Sequence, residues 1–218
     1  MPFHPLESVV PLAVDLLNGR NYVQGSQTLA RLCGLPVLEG ATLLQARFTR
    51  ITDRLVGARL RGAVVADPAV IGDVDFVRDS VPFAWEIVEL EGMAPVAARP
   101  TAIVLEGLDD DGALCGQCRF SGALGIEGVL DVLVQAIKAL HQRLAEPTCD
   151  IWFTGLREWH LPVRGPTVPA AGALQVRCLR RSSAGVRHQS LLRAAISGEG
   201  LAPAEGLVTF AWRTQKTA

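Results

Sequence analysis

The chain has 218 residues, 49% of them hydrophobic and 20% charged, a globular composition that excludes a disordered chain or a coiled coil. Lysine plus arginine number 21 against 22 acidic residues, a formal charge of -1, and no long like-charge run marks a surface for nucleic acid or an anionic membrane. There is no long apolar run and no basic-then-apolar leader at the MPFHPLES start, so a cytoplasmic chain with neither a membrane nor a nucleic-acid partner is expected. Five cysteines, an odd number, fit a reducing compartment and free thiols.

The patterning predicts short helices over Val9–Leu17 and Gly25–Cys33, separated by the turn-prone Asn18–Asn21. Leu44, Ala46, Phe48 and Ile51, then Leu55, Ala58, Leu60 and Ala63–Val65, predict two strands joined as a hairpin around Thr52-Asp53. Asp67–Asp79, rich in Gly, Asp and Pro, is read as a connection and an internal boundary, dividing the chain into 1–70 and 71–218. Strands are expected at Phe83–Leu90, Thr101–Leu108 and Ala113–Phe120, the last two joined through Asp109–Gly112. The clearest element is a helix over Ile126–Leu144, where Val129, Leu130, Leu133, Ile137, Leu140 and Leu144 recur at helical spacing. Cys149–Leu156, Ala173–Arg180, Val186–Ile196 and Leu207–Trp212 predict four further strands. Strands, one long helix and then strands again predict an α+β fold, an antiparallel sheet wrapped around a single helix, and argue against a Rossmann-like sheet.

The segment Gly128-Val-Leu-Asp131-Val-Leu-Val-Gln135 resembles the DxxxQ helix motif of polyketide-synthase dehydratase domains. Asp150–Arg157 and Gly172–Cys178 are similar to the strands that follow that helix, and Cys118-Arg119-Phe-Ser-Gly122 is similar to the His-Phe-Pro-Gly loop of 3-hydroxyacyl-carrier-protein dehydratases. Asn21-Tyr-Val-Gln-Gly25-Ser-Gln-Thr-Leu-Ala30 resembles an HxxxGxxxxP motif, of which only Gly25 is retained. The resemblance implies a hotdog fold over 71–218, with 1–70 as an abbreviated second repeat. It also implies a 3-hydroxyacyl thioester, on acyl carrier protein or coenzyme A, as substrate or ligand. Asn21 and Arg119 stand where the related motifs carry histidine, and neither accepts a proton near neutral pH.

Asp131 and Gln135 lie one helical turn apart, with Glu127 and Lys138 on the same stripe. The stripe is either a solvated helix face or a catalytic edge on which Asp131 serves as acid and Gln135 orients it. Gly125 and Gly128 are expected to admit the thioester closely and to turn backbone N–H groups toward its carbonyl, or to serve in packing. Of His4, His141, His160 and His188, each has a core or surface role by default; His160 is the candidate substitute base and His4 the second choice. The Cys115/Cys118 pair lacks a zinc-site partner pair, and neither a metal nor a cofactor is expected. Arg157, Arg164, Arg177, Arg180 and Arg181 could meet an acidic carrier protein or a coenzyme A phosphate, or guard strand edges. Three functions stay open: a dehydratase-like enzyme, a hotdog thioesterase, and a non-catalytic partner subunit. Dehydration needs a base and an acid on opposite sides of the substrate, so the chain is expected to form a homodimer, or a heterodimer with a second hotdog subunit, and the histidine to come from a different, catalytically complete hotdog subunit or from His160 of this chain.

Overall fold

A computed structural model describes residues 9–17, 23–63, 68–97, 103–110, 115–144, 150–163, 168–185, 187–198 and 201–213. The N-terminal group comprises β1 (Val10–Leu12), β2 (Leu16–Leu17), α1 (Gly25–Cys33), β3 (Thr42–Phe48), β4 (Arg54–Leu60), β5 (Val70–Arg78), β6 (Val81–Met93) and β7 (Val96–Ala97). The C-terminal group comprises β8 (Ile103–Asp110), β9 (Gly116–Leu124), α2 (Ile126–Leu144), β10 (Asp150–Arg157), β11 (Leu161–Pro162), β12 (Val168–Ala184), β13 (Arg187–Gly198) and β14 (Leu201–Arg213).

Strand order across the 12-stranded sheet is β1-β4-β6-β5-β3-β10-β14-β13-β12-β9-β8, with β11 pairing β3. The first strand after each helix, β3 and β10, meet in the middle through Arg47 opposite Gly155 and Ala46 opposite Leu156. Gly155 permits that approach, because a Cβ there would lie 2.3 Å from the Ala46 carbonyl oxygen. From its outer edge the N-terminal group runs pre-helix strand, second, fourth, third, first; the C-terminal group, inside β8, runs pre-helix strand, second, third, fourth, first. The two groups therefore agree at their rims and exchange their inner strands.

This arrangement corrects the expected fold class, a single long central helix wrapped by strands from 83–120 and 149–212. One continuous sheet carries two helices that pack on each other. The burial of α2 supplies the reason: Gly128–Leu130, Val132–Val134, Ala136, Ile137, Leu140 and His141 are all buried, which is more than the one stripe a single sheet face can cover. α1 provides the second wall. The expected boundary at 70/71 falls at the start of β5, whose partners β3 and β6 lie in the same strand group.

Three element expectations are also corrected. The helix over Val9–Leu17 is extended chain, where Leu12, Val14 and Leu16 turn inward at period two and Ala13 and Asp15 do not. β3 and β4 form no hairpin with each other, since β3 pairs β5 and β10 while β4 pairs β1 and β6. Their 49–53 link bonds elsewhere: Val23 N–H donates to the Thr52 carbonyl at 2.7 Å and Ala94 N–H to the Asp53 carbonyl at 3.0 Å. Most of the supposed connection Asp67–Asp79 is strand β5, which turns into β6 through Asp79 and Ser80 at φ 50° and 65°, the left-handed pair of a tight hairpin. Among the described residues no helix is long and apolar enough to cross a membrane.

Candidate functional site

The polar stripe of α2 grades from exposed to half-buried. Glu127 is exposed, Asp131, Gln135 and Lys138 are half-buried, and Gln142 is exposed again. These are the positions that the packing of α2 leaves at its margin, with buried Leu130, Val132, Val134 and Ala136 beside them. A carboxylate and an amide are thus held one turn apart between buried apolar residues of the helix. That pair can donate and accept hydrogen bonds to a polar group laid along the helix.

At the start of α2, Gly125 is half-buried and Gly128 buried. The Gly125 carbonyl accepts the Val129 N–H at 3.0 Å, so the residues of the first turn present N–H groups without intrahelical acceptors, beside Glu127 in that turn. Gly25 opens α1, where a Cβ would meet the Phe48 ring at 2.9 Å; close packing accounts for this glycine. Asn21 and His4 lie outside the described residues, as do Arg164 and the Asp111–Gly112 end of the β8–β9 turn.

Arg119 sits on β9 between Cys118 and Phe120, which are buried in the core at 4% and 2% exposure. Arg119 itself is exposed, and strand alternation turns it to the sheet face opposite α2. His160 is exposed in the turn between β10 and β11, while its neighbour Trp159 is fully buried. The turn is pinned by the Trp159 N–H donating to the Leu44 carbonyl at 3.1 Å and the indole N–H to the Leu207 carbonyl at 2.9 Å.

His141 forms a site that sequence reasoning assigned only a core or surface role. Its Nδ1 lies 2.7 Å from the Ile137 carbonyl and its Nε2 2.8 Å from Ser190 Oγ. A carbonyl only accepts, so Nδ1 carries the proton and the Ser190 hydroxyl donates to Nε2. Phe210 lies 5.6 Å away and Trp212 crosses edge-on at 5.0 Å. A serine donating to a neutral, oriented imidazole has the geometry of a nucleophile and its base. Here both are sealed, at 1% and 3% exposure, and the pair ties α2 to β13. Its chain position carried one signal, because His141 follows Leu133 and Ile137 at four-residue steps on the apolar face.

Burial holds the His141 pKa below the ordinary histidine value; the Ile137 carbonyl opposes this and the nearby Arg181 charge adds to it. The folded state thus takes up its proton at lower pH than the unfolded state. Stability is fully present above about pH 6.5 and declines as pH falls below it, by up to about 1.4 kcal/mol per pH unit. Thermal unfolding between pH 7.5 and 5.5 is expected to show this slope, and His141→Gln, which cannot titrate there, to flatten it. An unchanged slope in the variant would assign the acid sensitivity to other groups.

No family model matches the chain, and no curated protein matches it. Solved structures similar to it include a conserved hot dog fold protein of unknown function from Alicyclobacillus acidocaldarius (10% identity, 90% of this chain and 89% of that one, TM-score 0.49). Another is the tesB protein of Mycobacterium avium subs paratuberculosis (10% identity, 93% and 91%, TM-score 0.48). A third is GphF Dehydratase 1 (11% identity, 88% and 84%, TM-score 0.45).

Proposed function

We propose that this chain is a dehydratase-like protein of fatty-acyl or polyketide metabolism that holds a 3-hydroxyacyl thioester, carried on coenzyme A or a carrier protein, along the polar margin of α2. The observation that carries the reading is the half-buried Asp131 with Gln135 one turn on, flanked by the buried Leu130, Val132, Val134 and Ala136. Asp131 acts as the acid that helps hydroxide leave, Gln135 positions its carboxyl, and the first-turn N–H groups after Gly125 receive the thioester carbonyl. The base is His160 or a histidine of a second subunit in a dimer.

With 3-hydroxyacyl-coenzyme A as substrate, Asp131→Asn is expected to lower dehydration by roughly 10²-fold. Equal turnover by wild type and variant would remove Asp131 from the mechanism. His160→Ala, assayed alone and with a catalytically complete hotdog partner, distinguishes the two sources of base. Free thiol released from acyl-coenzyme A without dehydration would make the protein a thioesterase instead.

A second reading, binding without turnover, is favoured by one observation: Arg119, at a position where related motifs place histidine, faces away from α2. It expects acyl-coenzyme A to bind, with affinity reduced by Asp131→Asn, and no product to form.

A further inference from the structure

The two outward sheet faces treat charge differently. On the N-terminal group, Arg59 pairs Glu86 at 2.7 Å, Arg61 pairs Asp73 at 2.8 Å and reaches Asp75 at 3.7 Å, and the Gln45 amide donates to Asp75. Cation and carboxylate alternate there and neutralise each other.

On the C-terminal group the arginines accumulate. Arg177 on β12 stands directly opposite Arg193 on β13, and Arg187 on β13 directly opposite Arg213 on β14. The bulge between Cys178 and Arg180 brings Arg180 opposite Leu191, beside the first pair. All five arginines are exposed. On β10, β12, β13 and β14 the described carboxylates beside them are Glu205, 3.9 Å from Arg193, and Asp150, in register with Arg213. Arg177, Arg180 and Arg187 have no ion-pair partner among the described residues.

Like charges placed directly opposite on neighbouring strands destabilise a sheet. Two such pairs on one face of a chain whose formal charge is only -1 make a local positive field that the rest of the molecule does not share. The spaces between the arginines hold aliphatic groups: Leu179 at the bulge, 47% exposed, with half-buried Leu191 and Leu207. From Arg187 to Arg193 the patch runs six residues along β13, roughly 20 Å. Arginine is enriched at protein interfaces, and the aliphatic groups between these arginines give a partner apolar surface to cover. A nucleic-acid backbone would use the charges and leave the leucines uncovered, and a flat sheet face does not enter a groove to read bases.

We propose that the outward face of β12, β13 and β14 docks an acidic, amphipathic segment of another protein, its carboxylates meeting Arg177, Arg180 and Arg193 and its aliphatic side chains covering Leu191 and Leu207. The inference rests on the charge and side-chain placement of this face, and the peptide test reads it whether or not the chain acts on an acyl thioester.

The test uses the whole chain and three fluorescent probes: a synthetic helical peptide of glutamate and leucine, the same peptide with lysine for glutamate, and a DNA duplex. Fluorescence anisotropy is expected to show binding of the glutamate peptide only, weakening as salt is raised. The double variant Arg177→Gln/Arg193→Gln should weaken it about fivefold to tenfold, as expected for losing two exposed ion pairs. The charge-matched double variant Arg31→Gln/Arg54→Gln, both exposed residues elsewhere, should leave it within about twofold, since neither meets the peptide. If the first variant does not fold, Arg180→Glu is read the same way. No binding by wild type, equal loss in both double variants, or tighter binding of the duplex than of the peptide would each overturn the proposal.

Discussion

Replacing Trp159 with alanine is expected to lower the stability of the protein by about 3–5 kcal/mol, the range for emptying a buried aromatic site. The indole is fully buried, and its ring fills the space over Gly206, where a Cβ would come within 2.5 Å of it. Its N–H bond to the Leu207 carbonyl would also be lost. The backbone on either side cannot close over the gap easily, because the Trp159 N–H is held by Leu44 and Glu158 sits at φ 60°. At this chain length the cost corresponds to a fall in unfolding temperature of about 6–20 °C. Circular dichroism melts of wild type, Trp159→Ala and Trp159→Phe provide the measurement. Phenylalanine should recover part of the loss, since it restores a six-membered ring but leaves the space over Gly206 that the five-membered ring of the indole fills and forgoes the hydrogen bond; a melt of Trp159→Ala within about 2 °C of wild type, at most about 1 kcal/mol, would contradict the packing described.

Gly155→Val is the second change expected to have a large effect. A Cβ at this position lies 2.3 Å from the Ala46 carbonyl oxygen and 3.3 Å from the Arg47 Cα. These are backbone atoms of the facing strand, so no side chain can turn away to make room. β3 and β10 touch in register at only two residue pairs, and Gly155 belongs to one of them. The substitution therefore pushes apart the seam between the two strand groups, at a cost of about 3 kcal/mol or more, the upper end of what overpacking does. Chemical denaturation followed by tryptophan fluorescence and by circular dichroism should show an earlier midpoint. Gly34→Ala is the control, because its nearest neighbours are at 3.4 and 3.5 Å, ordinary contact at a helical φ of -75°. Equal midpoints for Gly155→Val and wild type would mean that the seam is looser than the register implies.

What could be read from the residues followed the strength of their periodicity. α2 covers Ile126–Leu144 as expected, because six aliphatic residues at helical spacing outweigh every competing pattern. The long strands from β8 to β14 were also legible, although their ends lay beyond the apolar cores used to find them. The N-terminal third was less so. Val9–Leu17 is too short to separate period two from period 3.6, and β5 was hidden because its outward positions, Asp73 and Asp75, and the close-packed Gly72 look like loop residues. The joining of the sheet through β3 and β10 leaves no local signal at all. It depends on Gly155 standing opposite Arg47, where a Cβ would strike the Ala46 carbonyl oxygen, between residues more than a hundred positions apart.

The candidate site shows the same division. Asp131 and Gln135 share a face by helical arithmetic alone, and their half-burial follows from how much of α2 is covered by α1 and the sheet. The orientation of Arg119 needed the strand register, which places Cys118 and Phe120 inward. The His141–Ser190 link needed the tertiary fold, since the two residues come from α2 and β13 and neither lies in a recognisable motif.

The exchange of inner strands between the two groups bears on stoichiometry. A duplicated architecture invites the expectation of two equivalent ligands per chain, one beside each helix. Here a rotation that superposes the rims leaves the middle strands mismatched, and the nine residues of α1 include no carboxylate to stand for Asp131. If α2 holds the acyl thioester as proposed, its carboxylate has no counterpart on α1, and a titration is then expected to saturate at one equivalent per chain.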